Sequence, residues 1–100
     1  MKIELPLYQV GVGYSVVVPA EIVNVAPHLP ADFAVHESAF EIGEWAVTEI
    51  STGARVPQKW PYYTKRQAII GTRKYLADKS ADHLAEAFKN LKKIAPEAVR

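Results

Sequence analysis

Trp60, Tyr62 and Tyr63 are followed at once by Lys65 and Arg66, with Arg73 and Lys74 one to two helical turns further on. An aromatic ring stacks on any base while Lys and Arg track the phosphates, so this interleaving is the chemistry of a platform for single-stranded nucleic acid or RNA. The same run equally suits a strand-to-helix connection, in which aromatics plug one end of a core and tyrosine hydroxyls reach water. Ten basic residues lie from Lys59 onward. A phosphate-binding face would use them, and a lysine-rich helix surface that only keeps the chain soluble would look alike.

A second set is acidic. Asp32, Glu37, Glu41, Glu44 and Glu49 are spread along the middle of the chain, with Trp45 among them. Together they would offer a negative docking surface to a basic groove, as a nucleic-acid mimic does. They would otherwise pair with the chain's own bases, Glu49 with Arg55 first, each exposed pair being worth at most about 1 kcal/mol. The two sets make the halves opposite in charge. Residues 1–50 hold one Lys against seven acids, and residues 51–100 hold eleven Lys and Arg against four. A total of +1 conceals this, and polarised surfaces usually meet charged partners.

Enzymatic groupings are absent from the pattern. His28, Asp32 and His36 recur every four residues, but Pro30 between them forbids the helix that would align them as metal ligands. His36, Glu37 and Ser38 are consecutive, so on a strand they point to alternate faces. Gly11-Val12-Gly13 lacks the third glycine and the following helix of a dinucleotide site. No Cys is present, which removes disulfides, thiolate zinc sites and a cysteine nucleophile and fits a reducing cytoplasm. No catalytic residue, metal or cofactor is expected. The apolar runs are too short for a spanning helix, and Pro6, Gly11 and Gly13 break the pattern of a signal peptide.

Strand-like residues fill the first sixty positions and helical spacing fills the last forty, so the expectation is one α+β domain over 1–100. A small antiparallel sheet would pack against two C-terminal helices. Leu7 to Val10 and Tyr14 to Val18 read as strands around a glycine turn. Pro19 to Val25 suits a short helix or a strand, and Phe33 to Glu37 suits another strand. Trp45 to Ile50 and Ala54 onward read as a hairpin closed by Ser51-Thr52-Gly53, with Gly53 in the left-handed region. That register sets Ile50 opposite Ala54, Glu49 opposite Arg55 and Trp45 opposite Lys59, with Ala46, Thr48 and Ile50 facing the core.

Thr64 and Gln67 form a capping-box pattern for a helix from about Lys65 to Ala77, with Ala68, Ile69, Thr72, Tyr75 and Leu76 inward. Gly71 within it implies close approach of another backbone. Ser80 caps a second helix whose stripe is Leu84, Ala87, Phe88, Leu91, Ile94 and Ala95. Tyr8, Tyr14 and Val16 would allow edge-to-edge pairing, so both a monomer and a homodimer are open.

The stretch from Trp45 to Ala68, W-x-V-T-x-x-S-T-G-x-x-V before a Thr-capped helix, resembles a strand, turn, strand, helix module of small phage and mobile-element proteins. Some proteins of this size class are anti-CRISPR inhibitors. The charge split and the lack of catalytic groups, taken with this resemblance, point to a non-enzymatic protein of the host-cell cytoplasm that blocks a host protein or ribonucleoprotein complex, with no membrane partner. Its docking surface would be Asp32, Glu37, Glu41, Glu44, Trp45 and Glu49. The alternative is a nucleic-acid-binding module using Trp60, Tyr62, Tyr63, Lys65, Arg66, Arg73 and Lys74.

Overall fold

A computed structural model describes residues 1–8, 15–39 and 41–91. Five antiparallel strands form one curled sheet in chain order, β1 (Lys2–Tyr8), β2 (Ser15–Val23), β3 (Phe33–Glu37), β4 (Trp45–Glu49) and β5 (Ala54–Arg55). Two helices follow, α1 (Lys65–Leu76) and α2 (Ala81–Leu91). The chain is thus a small α+β fold.

The N-terminal strands are longer than the apolar runs suggest. Lys2 pairs with Glu21 and Glu4 with Pro19, so β2 continues through the segment that also suited a short helix. Valine and isoleucine stiffen it in extended form. Pro19 removes no donor from the ladder with β3, which starts only at Glu21. Pro6 lies on edge strand β1, where a missing donor is tolerated. The expected glycine turn at 11–13 lies outside the described residues, as do Tyr14 and Phe40.

The hairpin register differs from expectation by one residue. Glu49 pairs with Ala54 and Thr48 with Arg55, leaving a four-residue loop, Ile50 to Gly53. The Glu49 carboxylate is the cause, because it accepts the Ser51 amide at 2.8 Å, the Ser51 hydroxyl at 2.7 Å, the Thr52 amide at 2.9 Å and the Thr52 hydroxyl at 2.8 Å. Gly53 does take a positive φ of 70° and donates to the Glu49 carbonyl at 3.0 Å. The shift puts Arg55 opposite Thr48, so the expected Glu49–Arg55 pair does not form. Arg55 pairs instead with Glu41 at 3.3 Å.

Curling gives the sheet two interiors. On one face Phe33, Val35 and Val47 pack with Val56, Ala68, Leu76 and Leu84 under the helices. On the other, Leu5, Leu7, Ala20 and Ala34 cluster, with Ile3, Val18 and Ile50 beside them. The middle strands are therefore covered on both sides. Ala46, Val47, Thr48 and Glu49 are all buried, although strict alternation places Val47 and Glu49 on a wetter face.

Helix α1 begins as its caps dictate. The Thr64 hydroxyl accepts the Gln67 amide at 3.0 Å, and the Gln67 side chain accepts the Tyr63 amide at 2.8 Å. Ala68, Thr72 and Leu76 are its buried stripe. Close approach at Gly71 comes from the Tyr62 ring, not from a backbone; an added Cβ would sit 2.5 Å from Cε1 of that ring. In α2 the Ser80 hydroxyl accepts the His83 amide at 3.1 Å. Leu84 is buried but Ala87 is exposed, so that stripe is narrower than its periodicity suggests. The side chains of Phe88 and Leu91, and residues Ile94 and Ala95, lie outside the described part.

Candidate functional site

The segment from Val56 to Thr64 carries the chain from β5 to α1. Its two prolines, Pro57 and Pro61, favour an extended path. The Trp45 amide donates to the Tyr62 carbonyl at 2.7 Å, which pins this strap to β4. Inside the strap, Gln58 Nε2 donates to the Trp60 carbonyl at 3.0 Å, while Gln58 Oε1 is buried without a partner.

Between strap and helix lies an open groove of about 850 Å³. Trp60 and Tyr63 line it with 67% and 64% of their surface exposed. The row Arg66, Ile70, Lys74 lines the helix side at successive i, i+4 positions. Lys59 joins them, its ammonium 5.5 Å from the centre of the Trp60 ring. Three lining residues are basic and none is acidic. Lys59, Arg66 and Lys74 pair with no described carboxylate.

Not every base or ring of the expected aromatic and basic set faces this groove. Tyr62 is half-buried against Gly71 and serves as a wall instead of a stacking platform. Lys65 turns away to Glu21, whose carboxyl that hydrogen bond and charge hold below the usual range. Arg73 donates to the Asn24 carbonyl at 3.2 and 3.3 Å. Trp60, Tyr63, Arg66 and Lys74 remain together. Lys59, Gln67 and Ile70 also line the groove, Ile70 being signalled in the sequence only by its spacing from Arg66.

The acidic set is dispersed. Glu49 is a correction to the docking surface, because only 3% of it is exposed and its carboxylate is consumed by the hairpin loop. Asp32 and Glu37 flank opposite ends of β3, about 16 Å apart along a strand. The Ser38 hydroxyl donates to Glu41, and this bond with the Arg55 charge holds the Glu41 carboxyl below its ordinary range. Trp45 is half-buried, and only Glu37 and Glu44 lie near it with no ion pair to a described residue.

A second hollow of about 550 Å³ lies beside Trp45, with Lys2 and Lys65 balanced by Glu21 and Glu37. It carries no excess of either charge. His36, at its floor, is a buried residue held in the sheet: Nδ1 donates to the Glu37 carbonyl at 2.9 Å and Nε2 accepts from the Thr48 hydroxyl at 2.7 Å. His28 Nε2 donates to the Leu76 and Lys79 carbonyls at 3.0 and 3.1 Å, tying the loop after β2 to the end of α1. No helix among the described residues is long and apolar enough to cross a membrane.

Comparison with known protein families, with curated proteins and with solved structures finds no match to this chain.

Proposed function

We propose that the protein is a non-enzymatic binding module of the cytoplasm whose working surface is the strap-and-helix groove, and that its ligand is single-stranded nucleic acid. One observation carries this reading. Two exposed aromatic rings and three bases share a groove lined by no acid. Each aromatic supplies a face for a base, and Lys59, Arg66 and Lys74 follow the backbone. Binding by stacking is sequence-tolerant, with each stacked base worth about 1–3 kcal/mol.

Fluorescence anisotropy of a labelled oligonucleotide at several salt concentrations tests it. With three phosphates neutralised, log K should fall against log salt with a slope of about −2. Trp60→Ala and Tyr63→Ala should each weaken binding by roughly tenfold or more, within the range for one lost stack. No binding at low salt, or binding with no salt slope, removes the idea.

A second reading is that the protein is a phage or mobile-element inhibitor bound to a host nucleic-acid-handling complex. The specific observation in its favour is that Glu37 and Glu44 stay without ion pairs to described residues near Trp45. Capture of such a complex from host lysate that survives nuclease, and is lost in Glu37→Lys/Glu44→Lys, would support it; capture lost on nuclease treatment would return the case to nucleic acid.

A further inference from the structure

We propose that the chain forms a two-fold dimer in which the Glu41–Glu44 turn of each copy enters the basic groove of the other. The turn is built to project. Ile42 at its tip is 104% exposed, and Gly43 follows with a φ of 81° and open space around it. The Ser38 amide donates to the Glu44 carbonyl at 2.8 Å, and the Glu44 amide donates to the Glu41 carbonyl at 3.2 Å. Arg55 holds Glu41 from the side at 3.3 Å. A turn already fixed loses little freedom on docking.

One exposed isoleucine needs no explanation by itself. Its placement gives it meaning. Glu44 directly precedes Trp45, whose amide is bonded to the carbonyl of Tyr62, and Tyr62 lines the groove. An acidic, apolar-tipped turn and a basic, apolar groove thus lie side by side. A patch negative on one side and positive on the other is its own complement under two-fold rotation, so both contacts form at once and the assembly closes. Ile42 meets the apolar lining of Trp60 and Ile70, and Glu44 meets Lys74 or Arg66. Two insertions of this size bury less than the roughly 1,600 Å² of a standard interface, so the dimer is weak and reversible.

This inference does not rest on the nucleic-acid reading, but both occupants use one groove and exclude each other. Sedimentation velocity of the full chain at low salt, over about a hundredfold range of concentration, tests it. A monomer–dimer equilibrium that weakens with salt is expected, since charge complementarity between exposed groups is screened. Ile42→Asp should raise the dimer dissociation constant at least tenfold while leaving the thermal midpoint unchanged at dilutions where the wild type is monomeric, because the side chain is fully exposed in its own chain. Glu44→Lys and Lys74→Glu should each weaken the dimer, and the two together should restore much of it. A wild-type chain that stays monomeric throughout overturns the proposal, as does an Ile42→Asp chain that dimerises like wild type. Oligonucleotide binding separates the two ideas: Ile42→Asp should keep it, whereas Trp60→Ala should lose both it and the dimer.

Discussion

Replacing Gly71 with Ala sets two opposed effects on one position. In a helix interior the change is favourable by about 1 kcal/mol through propensity alone. Here the new Cβ would lie 2.5 Å from Cε1 and 2.6 Å from Cζ of Tyr62, with Oη nearer still. Carbon atoms rest at roughly 3.5–4.0 Å, so the ring must withdraw by about an ångström. It cannot follow its backbone outward without breaking the Trp45–Tyr62 bond, and its inner edge packs on the helix-side core. Overpacking of this kind costs about 1–3 kcal/mol. The net expectation is destabilisation by about 1 kcal/mol, the midpoint of that cost less the propensity gain. In a Tyr62→Ala background the clash is gone, and the same Gly71→Ala change should stabilise by about 1 kcal/mol. Urea unfolding followed by tryptophan fluorescence on the four proteins gives the coupling directly, expected at about 2 kcal/mol. A Gly71→Ala effect of the same sign in both backgrounds would refute the reasoning.

Three further outcomes follow from named contacts. Burial and the Arg55 charge hold His36 below its ordinary pKa of 6.5, so the unfolded chain binds this proton more readily than the folded one. Stability from this group is then full above about pH 6.5 and is lost as the pH falls from there through the folded value, seen as a falling urea midpoint that His36→Gln flattens. Glu49→Ala should cost about 2–4 kcal/mol, since it strips partners from the buried Thr52 amide and hydroxyl and opens the hairpin loop; a thermal melt within error of wild type would count against that role. Lys74→Gln should flatten the salt dependence of oligonucleotide binding by about 0.7 in slope, while Lys65→Gln, whose lysine faces Glu21 outside the groove, should leave it unchanged.

Helix α1 is legible in the amino-acid sequence because its signals are local. Thr64 and Gln67 cap it, and Ala68, Thr72 and Leu76 recur at helical spacing. Gly53 is equally local, since only its own backbone demands the left-handed region. The hairpin register escapes such reading because it is decided by the Glu49 carboxylate folding onto the residues that follow it, a hydrogen-bonding contest that alternation does not encode. The same residue shows why its place in the acidic set is misread: a charged side chain reads as exposed, yet four donors make the burial of Glu49 tolerable. The groove is half legible. Trp60, Tyr63, Arg66 and Lys74 stand out by type and spacing, whereas the diversion of Lys65 to Glu21 and Arg73 to Asn24 joins residues far apart in the chain. Gly71 and Tyr62 belong to the same class. Glycine signals that something comes close, and only the fold identifies what.

The groove between strap and helix gathers Lys59, Arg66 and Lys74, which pair with no described carboxylate. A ¹H–¹⁵N correlation spectrum recorded while a short single-stranded oligonucleotide is added at low salt reports directly which surface it meets. Shifts should concentrate in Lys59 to Lys74, including the indole N–H of Trp60, and should shrink as salt rises. Shifts confined to Glu37 through Glu44, or none at all, would contradict the groove as the working surface.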